Sequence, residues 1–206
     1  HIPGLDYNVY SRRLVNAANQ GNVKAQLALW YLFYHGQSVD VNDEIAVKYL
    51  KMAARKGQAT ALYQLGICYL DGIGVSADDK LAAKYFEQSA SKGNMNAQTY
   101  LAWCYLNGIG IIKNRSKAMQ LYKIAADKGD VRAQCSMGIA YEKGEDLPYN
   151  RAESMKYLHL AANQEDGQAQ YELATLYLQE GDKNGVPIDT DGVAIIKVKS
   201  DTEGVL

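Results

Sequence analysis

The chain has 206 residues, of which 48% are hydrophobic and 22% are charged, and its formal net charge is −1. This composition allows a sizeable buried core, and the balanced charge argues against the basic surface that a nucleic-acid partner requires. No apolar run approaches the ~18 residues of a transmembrane helix, so no membrane span is expected.

The chain repeats itself at a spacing of 36 residues, beginning with a half-unit at residues 1–21 that aligns with the end of each later unit. Small residues, glycines and one aromatic position recur in phase over four or five copies, which is the signature of a repeat architecture. The columns are Ala17, Ala53, Ser89, Ala125 and Ala161; Ala18, Ala54, Ala90, Ala126 and Ala162; Gly21, Gly57, Gly93 and Gly129; Ala25, Ala61, Ala97, Ala133 and Ala169; Leu29, Leu65, Leu101, Met137 and Leu173; Phe33, Tyr69, Tyr105, Tyr141 and Tyr177; and Gly36, Gly72, Gly108 and Gly144.

Each unit is predicted to contain two helices, helix A and then helix B, because apolar and small residues recur at helical spacing in both halves. Residues with a side-chain oxygen that can cap a helix precede both halves. Before helix A they are Asn22, Asn94, Asp130 and Asp166, and before helix B they are Asn42, Asp78, Asn114 and Asn150. Gln58 breaks the first of these two columns. We place four full repeats and a degenerate fifth with a tail, all in one solenoid domain, at 22–57, 58–93, 94–129, 130–165 and 166–206.

The stretch LYQLGICYLDGIGV, residues 62–75, contains two glycines that flank one residue, Gly72 and Gly74. A glycine-rich loop that binds a dinucleotide would follow a strand and open a helix with a third glycine. Here the two glycines follow a helix, and Ala77 stands at the third position. We therefore interpret Gly72 as the left-handed residue that ends helix A, followed by a turn to the cap of helix B.

The repeat unit resembles that of the Sel1-like repeat family, which is related in shape to tetratricopeptide repeats. The family pattern AQxxLGxxYxxGxGVxxDxxKAxxYxxxAAxxG is matched by residues 61–93 and 97–129, and the resemblance covers about residues 17–181. It implies an all-α fold, a right-handed α/α solenoid of about five repeats. It also implies a scaffold or adaptor that binds a protein or peptide partner and has no catalytic residues and no cofactor.

The chain departs from this pattern at three places. Gln37 and Ser38 replace the glycine turn of the first repeat, and residues 144–150, GEDLPYN, lack the second glycine. After Gly181 the fifth repeat degenerates into a tail rich in β-branched residues, which is a poor helix. We expect a frayed helix, an extended strand or a disordered end there, and we regard residues 186–206 as a candidate route of self-association.

One side of helix A carries more aromatic and apolar residues than contact with solvent requires. At ~100° per residue, the positions two, three, six, nine and ten after the column alanine face away from helix B and are expected to line a concave surface. Because Tyr and Trp are common energetic anchors at interfaces, we predict partner binding there. The alternative for the leucines and some tyrosines is packing on the next repeat. The predicted residues are Tyr31, His35, Tyr63, Ile67, Leu70, Asp71, Tyr100, Trp103, Leu106 and Tyr171.

The chain shows no converging set of nucleophiles, acids or metal ligands, so neither an enzyme nor a metal site is predicted. His35 and Asp71 share a column, and a pair between them across repeats would be a contact of two polar side chains at the surface rather than a catalytic dyad. Cys68 and Cys104 occupy one column of adjacent units. Packed helices lie ~8–10 Å apart, whereas a disulfide needs Cα atoms within ~7 Å, so both are predicted to be buried thiols. The cysteine-rich branch of the resembled family has one disulfide per repeat, and this chain has no such pairs.

The main functional hypothesis is therefore a non-catalytic scaffold that binds a protein or peptide on the concave helix-A face. The alternative is a carbohydrate- or peptidoglycan-binding module, because aromatic side chains also stack on sugars. The odd number of cysteines, three, favours a reducing compartment, either the cytoplasm or one into which a secreted effector is delivered.

Overall fold

The computed structural model describes residues 7–37 and 39–184, with side chains described for residues 12–37 and 39–179. Within these residues the fold is all-α, with ten helices and no strand, and the predicted α/α solenoid is confirmed. The helices are α1 (Tyr7–Asn19), α2 (Val23–His35), α3 (Asp43–Arg55), α4 (Ala59–Asp71), α5 (Asp79–Ser91), α6 (Met95–Asn107), α7 (Arg115–Asp127), α8 (Val131–Lys143), α9 (Arg151–Ala162) and α10 (Gly167–Asn184). Ser38, the tail beyond residue 184 and its predicted self-association lie outside the described residues.

The chain divides into two compact units, residues 1–134 and residues 135–206. In the first unit every helix from α1 to α6 packs against the helix that follows it, and in the second unit α9 packs against α10. Even-numbered helices are the predicted helices A, and odd-numbered helices are the predicted helices B. No helix in the described part of the chain is both long and apolar enough to cross a membrane.

Side-chain caps start the helices as the two sequence columns predict. Asn94 Oδ1 accepts a hydrogen bond from the N–H of Ala97 at 2.9 Å, and Asp78 Oδ1 accepts one from Leu81 at 2.9 Å. The predicted break at Gln58 is wrong, because its Oε1 accepts from the N–H of Ala61 at 2.7 Å. The longer side chain still places an amide oxygen over the first turn, so the geometry of the cap survives the change of residue.

The two glycines of the GxG turns, Gly72 with Gly74 and Gly108 with Gly110, have different structural roles. Gly72 and Gly108 end helix A with φ of +72° and +77°, which confirms the predicted left-handed cap. Gly74 and Gly110 also have positive φ, but a Cβ on Gly110 would collide with the backbone carbonyl of Asp79, the first residue of α5. The second glycine therefore allows the turn of one repeat to contact the start of helix B in the preceding repeat.

The aromatic column of Phe33, Tyr69, Tyr105, Tyr141 and Tyr177 helps to join helix A to helix B of the same repeat. The Tyr69 ring stacks on Tyr85 with centroids 5.5 Å apart, and Tyr141 stacks on Tyr157 at 6.0 Å. The carbonyl of Tyr69 also accepts a hydrogen bond from the N–H of Asp78, the cap of α5, at 2.8 Å. In the α6–α7 pair the equivalent of Tyr85 is Leu121, and the backbone bond is kept there without the ring stack, from the N–H of Asn114 to the carbonyl of Tyr105 at 2.8 Å.

Helix A and helix B of one repeat meet where a small residue of the first faces a large residue of the second. Gly66 of α4 faces Phe86 of α5, whose side chain is fully buried. Gly138 faces Leu158 in the second unit in the same way. The equivalent residue of α10, Ala174, is exposed.

Candidate functional site

The predicted binding residues on α2, α4 and α6 all lie in the first unit, where their exposure separates them into two groups. Tyr31 and Trp103 are exposed at 42% and 37%, and His35 and Asp71 are also exposed. The remaining residues of the face are partly buried, namely Tyr63, Ile67, Leu70, Tyr100 and Leu106. Tyr171 lies on α10 in the second unit, where it is 66% exposed.

The helical wheel predicted that Tyr63 faces away from helix B, and this is wrong. Its ring lies 6.1 Å from Phe86 of α5 and 5.7 Å from Tyr100 of α6, and Tyr100 stacks on Phe86 at 5.1 Å. The wheel treats helix A alone, whereas in the folded unit the next repeat lies beside it and its Tyr100 covers part of the Tyr63 ring. Tyr63 and Tyr100 therefore form a half-buried aromatic cluster rather than free side chains.

In α6 and α8 the position two residues after the column alanine is closed rather than open. Thr99 and Cys135 occupy it there and are only 5% and 7% exposed, whereas Tyr171 at the same position of α10 is 66% exposed. Thr99 Oγ1 donates a hydrogen bond to the carbonyl of Met95, one turn earlier in α6, at 3.3 Å. The open part of the helix-A face is consequently narrower than predicted and centres on the column of Tyr31, Ile67 and Trp103.

Arg132 adds a positive charge to the Tyr63–Tyr100 cluster and was not predicted. Its guanidinium carbon lies 4.8 Å from the centroid of the Tyr100 ring, a cation–π arrangement. Burial raises the pKa of the Tyr63 hydroxyl and the adjacent Tyr100 raises it further, while a hydrogen bond from Arg132 and then the charge of Arg132 oppose that rise. Arg132 precedes Ala133 of the alanine column, which places it about 20° from the Trp103 column on a helical wheel. That register is the sequence signal that could have identified it.

The exposed end of α2 carries four neighbouring rings. Tyr31 lies 4.2 Å from the ring of His35 and 6.3 Å from Trp30, while Trp30 stacks on Tyr34 at 6.1 Å. These contacts cover part of the Tyr31 ring, and the residue remains 42% exposed. Among the described residues His35 forms no ion pair with Asp71, and its ring packs on tyrosines of its own helix.

All three cysteines are buried and free, which confirms the predicted thiols and the absence of a disulfide between Cys68 and Cys104. Burial raises the pKa of Cys68 to about 11 and the pKa of Cys104 and Cys135 to about 12 each. A neutral thiol is a poor nucleophile. The cysteines therefore serve as small core side chains, and the part of the chain that the structure describes contains no cluster of metal-binding residues.

Thiol labelling should distinguish the folded chain sharply from the unfolded chain. At pH 8 we expect an aromatic disulfide reagent to react at least ~100-fold more slowly without urea than in urea, since an unfolded thiol has a pKa of ~8.5. The raised pKa values also mean that thiol burial stabilises the fold fully below pH ~8.5 and less as the pH rises towards 11 to 12. Rapid labelling of the native chain would contradict the burial of these groups.

Comparison with known proteins places the chain among Sel1 repeat proteins. The Sel1 repeat model matches residues 24–58, 59–94, 96–130, 131–166 and 167–191. No curated protein matches the chain.

Two solved structures are similar over most of the chain. One is c5321, a protective antigen present in uropathogenic Escherichia coli strains that displays an SLR fold. It is 28% identical with a TM-score of 0.78, and the match covers 82% of this chain but only 36% of that chain. The other is a Sel1 repeat protein from Oxalobacter formigenes, which is 30% identical with a TM-score of 0.71 over 89% of this chain and 79% of that chain. Because the family model matches five successive units between residues 24 and 191, the chain belongs to the Sel1 repeat family.

Proposed function

We propose that this chain binds a peptide segment of a partner protein on the helix-A face of its first unit, defined by Tyr31, Ile67, Trp103 and the Tyr63–Tyr100–Arg132 cluster. The observation that carries the proposal is the exposure of Tyr31 and Trp103, which occupy the same column of different repeats. Sel1 repeat proteins are generally protein-interaction scaffolds and are typically non-catalytic. The peptide class of the partner and the binding face are our additions to that family property.

The face has the composition of a protein interface. Large aromatic side chains that remain accessible gain most from burial by a partner, and Trp and Tyr dominate the energetics of measured interfaces. Tyr31 already contacts His35 and Trp30, so less side-chain entropy would be lost on binding. His35 and Asp71 supply an exposed polar rim around these rings.

Arg132 supports a peptide rather than an entirely apolar ligand. Its guanidinium is oriented by the Tyr100 ring and presents hydrogen-bond donors next to the aromatic cluster. A peptide backbone carbonyl or a carboxylate side chain can accept from these donors while an apolar residue packs on the rings. The arrangement thus combines one polar contact that sets orientation with aromatic contacts that supply affinity.

The proposal is tested by selecting peptides from a random display library on the intact chain and measuring their affinity by fluorescence anisotropy. Trp103→Ala is expected to weaken the selected peptides by about tenfold or more, in the range of an interface hot spot. Tyr149→Ala is the matched control, because Tyr149 is an aromatic residue that is 59% exposed outside the face. We expect this control to leave affinity unchanged.

Two results would contradict the proposal. The first is equal affinity of the selected peptides for the wild type and for the double variant Trp103→Ala with Tyr31→Ala, both shown by circular dichroism to be folded. The second is binding to a glycan array that Trp103→Ala abolishes, which would instead support the carbohydrate alternative.

A further inference from the structure

A groove of about 300 Å³ lies between α3 and α5, the helices B of two adjacent repeats, and is separate from the proposed helix-A face. Leu62 of α4 is buried beneath it and forms part of its apolar floor. The residues that define its chemistry are Lys51, Arg55, Leu62, Leu81, Lys84 and Tyr85.

The groove is positively charged and contains no compensating acid. Lys51, Arg55 and Lys84 line it, and no aspartate or glutamate does. Lys51 packs its ammonium 5.5 Å from the centroid of the Tyr69 ring, and within the described residues none of the three cations has a carboxylate within ion-pair distance. An adjoining groove of about 460 Å³ shares Lys51 and Arg55 and adds Lys48, but it is also lined by Glu44. The groove between α3 and α5 is therefore the one of these two that has cations and no acid in its lining.

The repeat architecture does not require positive charges at the positions of Lys51, Arg55 and Lys84. One repeat later, the positions of Lys51, Arg55 and Lys84 are occupied by Glu87, Ser91 and Gln120. The architecture thus accepts neutral and acidic residues at these positions. One repeat earlier the equivalent positions hold Val15, Asn19 and Lys48, so neither neighbouring repeat of the first unit has three cations at these positions.

The spacing of the cations and the apolar floor favour one ligand chemistry. Lys51 and Arg55 are four residues apart on α3, which separates them by ~6 Å along the helix. Carboxylates two residues apart on an extended peptide are separated by ~6.6 Å, close to this spacing. Leu81 and Tyr85 are partly buried and offer an apolar surface that a peptide side chain can cover, above the buried Leu62. Tight nucleic-acid binding neutralises many more phosphates than three cations can.

We propose that the groove between α3 and α5 binds a second ligand, an extended acidic peptide whose alternate carboxylates contact Lys51 and Arg55 and whose apolar side chain packs on Leu81 and Tyr85. This binding goes beyond the proposed function, because it uses the opposite helices of each pair and none of the aromatic residues on the helix-A face. Lys84, across the groove on α5, contributes the third positive charge.

The test uses the full chain and a fluorescein-labelled octapeptide, Gly-Ser-Glu-Leu-Glu-Leu-Ser-Gly, with a second peptide in which both glutamates are glutamine. We expect the glutamate peptide to bind about tenfold more tightly than the glutamine peptide, and its affinity to fall as salt is raised. The triple variant Lys51→Gln, Arg55→Ser and Lys84→Gln should lose this binding. The substitutions Arg55→Ser and Lys84→Gln introduce the residues that stand at the equivalent positions of the next repeat, Ser91 and Gln120, so the fold is expected to tolerate them.

A second triple variant, Lys24→Gln, Lys113→Gln and Lys128→Gln, also removes three positive charges, all from exposed positions outside the groove. It should retain the binding, as should Arg132→Gln on the helix-A face. Equal loss in the two triple variants, or equal affinity for the two peptides, would overturn the proposal. So would an oligothymidine that binds the groove more tightly than the glutamate peptide. If the groove variant loses its helical signal, Arg55→Ser alone replaces it, with an expected loss of about threefold to tenfold.

The proposal for the helix-A face and the proposal for the groove are tested with different variants, so the failure of one can be distinguished from the failure of the other. Loss of display-selected peptides in Trp103→Ala together with intact glutamate-peptide binding would support both surfaces. Unchanged glutamate-peptide binding in the groove variant would overturn the groove proposal and leave the helix-A face unaffected.

Discussion

Replacing Gly110 with alanine is expected to lower the free energy of unfolding by about 2–5 kcal/mol, whereas replacing Gly108 is expected to cost only about 1–2 kcal/mol. Both glycines have left-handed φ, +65° at Gly110 and +77° at Gly108, so an alanine is strained at either position. A Cβ at Gly108 would meet its nearest atom, Lys113 Cβ, at 3.5 Å, an ordinary contact. A Cβ at Gly110 would also collide with the backbone of Asp79, which cannot rotate away as a flexible side chain can.

The difference between the two variants isolates the contact between repeats. Urea unfolding of both variants, followed by the helical circular dichroism signal, measures it because the backbone strain is common to the pair. Gly72→Ala and Gly74→Ala form an independent pair, since a Cβ on Gly74 would collide with the carbonyl of Asp43. Equal destabilisation within both pairs would show that the second glycine serves only its own turn.

These glycines show what the sequence can and cannot predict about the fold. The left-handed cap at Gly72 follows from local chemistry, because a glycine after an amphipathic segment is enough to predict it. The contact of Gly110 with Asp79 involves residues about 30 positions apart, and a repeat column records the glycine without recording its partner. The period of 36 residues therefore predicts the helix pairs, while the distances between pairs need coordinates.

At Gln58 the residue differs from the Asn or Asp of the other repeats, yet the structure of the helix cap is unchanged. Asn and Asp are the residues usually found at a helix cap, so a glutamine at position 58 predicts a break in the column of capping residues. The side-chain amide of Gln58 nevertheless reaches the N–H of Ala61. The requirement at this position is an oxygen over the first turn, and more than one side chain can meet it.

The candidate site was predicted less well than the fold, because exposure depends on neighbours. A helical wheel correctly placed Tyr31 and Trp103 on an open face. The same wheel placed Tyr63 there, although Phe86 and Tyr100 cover part of its ring. Arg132 was overlooked because the prediction began at the column alanine and this residue precedes it by one position.

Gly66→Ala is expected to destabilise the chain even though alanine is the better helix former. In a helix interior, alanine is favoured over glycine by about 1 kcal/mol. Against this gain, a Cβ at Gly66 would lie 2.6 Å from Cδ1 of Phe86, and that ring is fully buried. Overpacking of this kind costs about 1–3 kcal/mol, so the expected result is a net loss of up to about 2 kcal/mol in the free energy of unfolding.

A double-mutant cycle tests whether the Phe86 ring is the cause. In a Phe86→Ala background the collision is absent, and Gly66→Ala should then stabilise the chain by the ~1 kcal/mol of helix propensity. Ala102→Gly provides the converse control, because Ala102 occupies the equivalent position of the next repeat and is fully buried there. Ala102→Gly is expected to lower the free energy of unfolding by about 1 kcal/mol through helix propensity, and by a smaller amount through lost packing. A reversal of sign at position 66 that depends on Phe86 would show that ring contact, rather than helix propensity, sets the distance between α4 and α5. Stabilisation by Gly66→Ala with Phe86 present would show instead that the two helices can separate freely.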